Sequence, residues 1–165
     1  MRERRGRAGR RAMAVLARED GQALIELYFS LALMVILLIG AVEFGKLAYM
    51  AIEISDAAKA AAQYGSQSLV TGADTTGIQL VAQRNAPEVN AFCSNFTITP
   101  STTCACVTGG TAGSTVACSS TCTLGYLGHF LTVYTTASCN PGVHLPGTPQ
   151  GGITLRGRAI QEILN

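Results

Sequence analysis

The chain has 165 residues, a net charge of +2 and only 13% charged residues, about half the roughly 25% usual for soluble domains. That balance argues against a highly charged, fully solvated protein. The length accommodates one domain of ordinary size plus an appendage.

The basic residues are concentrated at the front. Arg2, Arg4, Arg5, Arg7, Arg10, Arg11 and Arg18 precede Gly21, after which Lys46, Lys59, Arg84, Arg156 and Arg158 stand against seven acidic residues. A basic arm taken alone would suit nucleic acid. Here it leads directly into an apolar segment, which favours a topological role and no nucleic-acid partner, because arginines flanking a membrane helix stay cytoplasmic. Residues 1–21 therefore read as a polar, disordered cytoplasmic leader.

From Leu27 to Val42 the chain carries no charge. Those residues span about 24 Å as a helix, and adding Gln22 to Glu26 brings the length to about 31 Å, enough to cross a ~30 Å hydrocarbon core. A cleaved secretory signal has a shorter apolar region of about 7–15 residues, so the segment is expected to be retained, with residues 22–45 as a single membrane-spanning helix in contact with lipid. Glu26 is the anomaly within it. A carboxylate at the centre of a bilayer helix costs about 2.5–3.5 kcal/mol, less near an end. A glutamate reaching from the membrane edge toward headgroups would account for it blandly.

The helix is expected to continue to about Ser68. Leu47, Ala51, Ile54, Ala58, Ala61 and Gly65 recur in steps of four and three on one face. Glu53, Asp56, Gln63 and Gln67 fall elsewhere, and Asp56 with Lys59 offers an i,i+3 ion pair. The stripe is made mostly of small residues, suited to close approach by this chain's own C-terminal part or by another subunit. Residues 46–91 form an amphipathic helical region. Within it, Thr71-Gly72 reads as a break, Asp74 or Thr75 as an N-cap, and Ile78, Val81 and Ala82 as the stripe of a short second helix that stops before Pro87.

Residues 92–165 change character, being rich in Thr, Ser, Gly and Cys. Phe96 to Thr99, Ser114 to Cys118, Phe130 to Thr136 and Ile153 to Arg158 read as strands of a small antiparallel sheet. Asn140-Pro141-Gly142, Pro146-Gly147 and Gly151-Gly152 read as turns. Cys93, Cys104, Cys106, Cys118, Cys122 and Cys139 all lie in this part, consistent with an oxidising compartment and up to three disulfides in any of fifteen pairings. Cys104 and Cys106, two apart on a strand, share a face and should take different partners. Zinc is the competing use, but a one-residue gap fits its ligand spacing poorly, and no metal or other cofactor is expected.

His129 and His144 have no nearby carboxylate in sequence, and Glu162 is the one acidic residue after Phe92. No acid–base or nucleophilic constellation is legible, so no catalytic residue is assigned and an enzyme is not expected. Asn95-Phe96-Thr97 matches a glycosylation sequon without further support. The fold class expected is α+β: a long N-terminal helix, membrane-spanning and then amphipathic, a short second helix, and a sheet stapled by disulfides.

Gly21 followed by Gln22-Ala23-Leu24-Ile25-Glu26 resembles the processing site of type IV prepilins, in which a membrane peptidase cuts after a glycine and the fifth mature residue is glutamate. Tyr28 is similar to a tyrosine of the Tad branch, although that family places it where this chain has Leu27. Ile39-Gly40-Ala41-Val42-Glu43-Phe44-Gly45-Lys46, with Asp56-Ala57-Ala58-Lys59-Ala60-Ala61-Ala62-Gln63-Tyr64-Gly65, is similar to TadE-like minor pseudopilins, with Lys46 where arginine is usual. The resemblance covers about residues 20–68. It implies cleavage between Gly21 and Gln22, and assembly through the N-terminal helix with Glu26 and Tyr28 setting register. It also implies a bacterial inner-membrane location with a periplasmic or extracellular C-terminal domain. The implied partners are other pilins, the pilus assembly platform and a prepilin peptidase. Cleavage would place a new α-ammonium on Gln22 one helical turn before Glu26, within the chain or on a neighbouring subunit. The alternative is a bitopic anchored binding module that never polymerises. An exported metal-binding protein or enzyme stands third.

Overall fold

The computed structural model describes residues 21–140, 142 and 152–164; the basic leader, His144 and the turn at Pro146-Gly147 lie outside them. The described part of α1 is Gly21–Gly65. Three short helices follow, α2 (Leu69–Ala73), α3 (Thr75–Arg84) and α4 (Pro87–Phe92). Among the described residues four strands follow: β1 (Cys93–Thr108), β2 (Thr111–Val116), β3 (Tyr126–Cys139) and β4 (Ile153–Glu162). They form one antiparallel sheet in the order β2-β1-β3-β4. The class is α+β, as expected. Residues Gly45–Asn165 make one compact unit and Met1–Phe44 another.

The core of the larger unit lies between the second half of α1, with α3 and α4, and one face of the sheet. Ile54, Ala57, Ala61 and Ala62 of α1 meet Ile78, Ala82, Ala86 and Val89 of the following helical segment, and Ile98, Leu131, Val133, Ala137 and Cys139 of the strands. On β3 the inward residues alternate from Leu131 to Cys139, the period of two that a half-buried strand requires. The small-residue stripe is thus used within the chain. Ile54, Ala58 and Ala61 are fully buried, Gly65 is buried and Leu47 packs at the margin. Ala51 departs from the expected face and is exposed.

One row across the sheet sets the helix–sheet spacing. Ile98, Thr135 and Gly157 are register partners on adjacent strands. The Thr135 hydroxyl, fully buried, donates to the backbone carbonyl of Ile54 at 2.9 Å. A buried hydroxyl without a partner would cost about 1–3 kcal/mol. At Gly157 a Cβ would sit 2.7 Å from that same carbonyl oxygen. Only glycine lets α1 come this close.

Glu53 corrects the sequence reading, which placed it off the packed face. It is 8% exposed, and its carboxylate accepts the backbone N–H groups of Glu88 at 3.1 Å and Val89 at 3.0 Å. These are orphan donors of the first turn of α4, whose N-cap residue Ala86 makes no side-chain cap bond. A carboxylate from α1 therefore caps α4, where the helix dipole also favours negative charge. Pro87, expected only to stop a helix, also starts one at the position where its missing N–H costs nothing. Residues 46–91 consequently hold three short helices after α1 rather than one. Ser68 and Thr71 form a reciprocal cap that makes Thr71-Gly72 part of α2 instead of a break.

The first strand runs well past its expected end at Thr99. Pro100 is tolerated because β2 pairs only with residues 104–108, so no ladder partner on that side lacks a donor. Gln79 of α3 instead donates to the Ile98 carbonyl at 3.3 Å on this strand. Asn95, at φ 55°, lies in a register shift between Ser94 and Thr97. Gly109 and Gly110, both at positive φ, close the β1–β2 hairpin between paired Thr108 and Thr111, the two-residue turn that suits strand twist.

Three disulfides staple the sheet: Cys93–Cys139, Cys104–Cys118 and Cys106–Cys122. Cys93 and Cys139 are direct register partners on β1 and β3. Cys104 and Cys106 take different partners, as expected, and together tether residues 117–122 to β1. After β4 the chain passes beside the residue that follows α1: the Leu164 N–H donates to the Ser66 carbonyl at 2.8 Å, and Ile163 is 5% exposed.

Two outcomes follow from this packing. Replacing Glu53 by Ala should lower unfolding stability of the detergent-solubilised protein by about 2 kcal/mol, the scale of a charged cap lost to two backbone donors, read as a shift in the urea midpoint. Replacing both Cys93 and Cys139 by Ser should destabilise more than the same change at Cys104 and Cys118. The closed separations are 46 and 14 residues, corresponding to about 4 and about 3 kcal/mol by loop entropy.

Candidate membrane and assembly interface

Every residue from Gly21 to Ile39 is exposed, including Leu24 at 66%, Tyr28 at 70% and Ile36 at 63%. Exposed apolar surface of this extent, continuous around a helix, requires lipid or protein around it. The Gly21–Gly65 helix is long and apolar enough to cross a membrane. Within it, Ser30 donates to the Leu27 carbonyl at 3.0 Å, satisfying its hydroxyl inside the helix. Tyr28 and Phe29 meet edge to face with ring centroids 5.8 Å apart.

Gly21, Gln22, Glu26 and Tyr28 all lie on this helix with their surfaces open. Gln22 and Glu26 are four residues apart, one turn along the same face. Glu26 forms no hydrogen bond or ion pair among the described residues. The carboxylate is open to its surroundings rather than turned into the core.

The second motif is explained by the core. Asp56 and Lys59 form the expected surface ion pair at 3.1 Å, worth little to stability at that exposure. Tyr64 donates its hydroxyl to Asp74 at 3.0 Å, and Asp74 also caps α3 by accepting the Gly77 N–H at 2.9 Å. Of the two N-cap candidates, Asp74 takes the role. Its pKa is held below the usual value first by the Gly77 N–H and then by the Tyr64 hydroxyl. The Tyr64 hydroxyl is pushed up by its bond to Asp74 and by that residue's charge. This clasp joins the end of α1 to the start of α3.

The six cysteines lie apart from the exposed helix. The sulfurs of Cys104 and Cys118 and a ring nitrogen of His129 fall within 4.8 Å of one another. A metal would need thiolates, and here both sulfurs are joined in a bridge. His129 Nδ1 rests 3.3 Å from the Cys104 sulfur. Sequence reasoning missed Glu53, Thr135 and Gly157. Proline followed by an acidic residue at Pro87-Glu88 was a legible helix start for α4, but no local signal names the carboxylate that caps it.

Residues 21–63 match the family model of TadE-like proteins, bearing out the resemblance to that family. The match opens at Gly21 and ends beside Tyr64, within α1. No curated protein and no solved structure matches the chain.

The Tyr64–Asp74 clasp should be visible in the pH dependence of stability. Asp74, lowered in the fold, contributes stability that is complete above the ordinary aspartate range and fades as pH falls below about 4. Tyr64, raised in the fold, contributes stability that is complete below about pH 10 and fades above it. In thermal melts across pH, Tyr64→Phe should abolish the alkaline loss due to this residue. It should only weaken the acid loss, because the Gly77 N–H still favours ionised Asp74.

Proposed function

We propose, from the TadE-like match and the exposed helix that carries it, that this chain is a minor pilin-like component of a Tad-type pilus or related secretion apparatus. A prepilin peptidase would remove the leader by cutting between Gly21 and Gln22. The mature chain would enter assembly from the inner membrane, with residues 45–164 on the periplasmic side. The observation that carries the reading is Glu26: a carboxylate without a described partner, on a wholly exposed apolar helix, five residues after the cleavage bond. An α-ammonium created on Gln22 is the compensation the helix lacks. Within one chain it sits a turn from Glu26, and between chains it would fix axial register, as buried polar groups do in other helical assemblies. The packing of Ala57, Ala58, Ala61 and Ala62 inside this chain supports placing subunit contacts on the earlier part of α1.

One observation favours the anchored, non-polymerising module instead. Residues Gly45–Asn165 form a compact unit closed by three disulfides, which needs no second copy to complete its core. Glu26→Gln separates the two readings. Membrane insertion and cleavage, followed by N-terminal sequencing of the membrane form, should stay intact and yield Gln22 as the first residue. Recovery of partner pilins and the number of surface filaments should fall by two orders of magnitude or more, since breaking one half of a buried pair costs about 3–5 kcal/mol. Unchanged filaments with Glu26→Gln, or a mature chain beginning at Met1, would return the function to an anchored module.

A further inference from the structure

The three disulfides of the larger unit sit in different surroundings. Cys139 is 1% exposed, and its partner Cys93 rests with its sulfur 3.6 Å from that of Met50, against the core. Cys106 and Cys122 are both partly exposed. The third bridge is lopsided: Cys104 is 2% exposed, whereas Cys118 is open to solvent. An incoming thiol can therefore reach this bridge from the Cys118 side and not from the other.

The buried end has a titratable neighbour. Cys104 and His129 are register partners on β1 and β3, so their side chains leave the same face of the sheet within a few ångströms of each other. His129 Nδ1 lies 3.3 Å from Cys104 Sγ. A bridged sulfur carries no hydrogen, so the contact is a hydrogen bond in which the Nδ1–H donates. The backbone behind the ring is fixed as well, because the Ile163 N–H donates to the His129 carbonyl at 2.7 Å.

We propose that Cys104–Cys118 is a site of thiol–disulfide exchange with an external dithiol, in which Cys118 is the point of attack and His129 stabilises Cys104 as the leaving group. A thiolate of the dithiol attacks Cys118 Sγ. A new S–S bond forms to Cys118, the Cys104–Cys118 bond breaks, and its electron pair stays on Cys104 Sγ as a thiolate held by the Nδ1–H. A sulfur whose thiolate is stabilised leaves faster. The second thiol of the dithiol gives its proton to Cys104 and closes on its own sulfur, releasing Cys118 as a thiolate. Two electrons thus pass to the cysteine pair, and the dithiol departs as a disulfide. A monothiol does not complete the sequence, because the Cys104 thiolate stays beside the mixed disulfide and expels it. Once the bridge is open, Cys106–Cys122 still holds the segment after β2 to β1. The exchange does not depend on whether the chain enters a filament.

The test uses the full chain in detergent under native conditions, with dithiothreitol as the dithiol, acid quenching at intervals and assignment of the bridges by peptide mass mapping. Cys104–Cys118 should open first, about tenfold faster than either of the other two. With glutathione as a monothiol probe, the adduct trapped by acid should lie on Cys118. His129→Leu should slow the opening of Cys104–Cys118 about fivefold, the scale of a less stabilised leaving thiolate, and leave the other two bridges unchanged. Loosened structure in that variant would speed opening, so slowing reports the lost hydrogen bond. Another bridge opening first, an adduct on Cys104, or a His129→Leu protein that opens at the wild-type rate or faster overturns the proposal. Glu26→Gln should leave the exchange unaltered, so the assembly reading and this one can fail separately.

Discussion

The hydrogen bond from the Thr135 hydroxyl to the Ile54 carbonyl, with Gly157 beside it, is the constraint on which the larger unit depends. It brings a helix to near backbone contact with the sheet at the centre of β3. Alanines at positions 57, 58, 61 and 62 can then be fully buried, because no larger side chain is needed to fill the gap. A core assembled from such small groups buries modest apolar area per residue, so much of its definition rests on polar closures. The sheet alone would have little to hold it. The second half of α1 supplies its missing layer.

Three of those closures are electrostatic or covalent, and each ties a different segment to that helix–sheet pair. Glu53 reaches from α1 to the amides of α4, Tyr64 reaches from the end of α1 to the cap of α3, and Cys93–Cys139 joins β1 to β3 just after α4 ends. The short helices are five, ten and six residues long, below the length at which an isolated helix persists in water. They exist because caps and packing hold them. The same logic explains why Cys104 and Cys106 bridge to the segment after β2, which has few buried residues of its own.

The division of labour within α1 bears on the proposed role. Its later turns are committed to the core of the chain, whereas from Gly21 to Ile39 every residue is exposed. An apolar helix left bare on all sides, carrying a carboxylate without a described partner, is suited to lipid and to other helices at different stages. The exposed charged residues differ in kind: Arg158 lies over the Tyr134 ring at 5.3 Å on the open face of the sheet, and Arg156 and Arg158 leave the β4 edge charged and so resistant to unwanted strand pairing.

Much of this was determined by the sequence itself, and the reason is that the signals are local and periodic. A charge-free run with arginines before it, the spacing of Ile54, Ala58 and Ala61, the Asp74 cap and the alternation around Phe130 to Thr136 each need only neighbouring residues to be legible. The motif from Gly21 to Glu26 and the stretch around Glu43 to Gly65 are likewise short and contiguous, which is why the family match falls on α1 alone. What tertiary structure decided are the partners that sequence distance conceals. Glu53 has the spacing of a surface residue and becomes a cap because α4 starts against it, 35 residues later. Which of the fifteen cysteine pairings forms depends on strand register, set by the turn at Gly109-Gly110 and by the row of Ile98, Thr135 and Gly157. Whether small residues on α1 met this chain or another was open in the sequence, because an alanine stripe permits close approach without naming the surface that approaches.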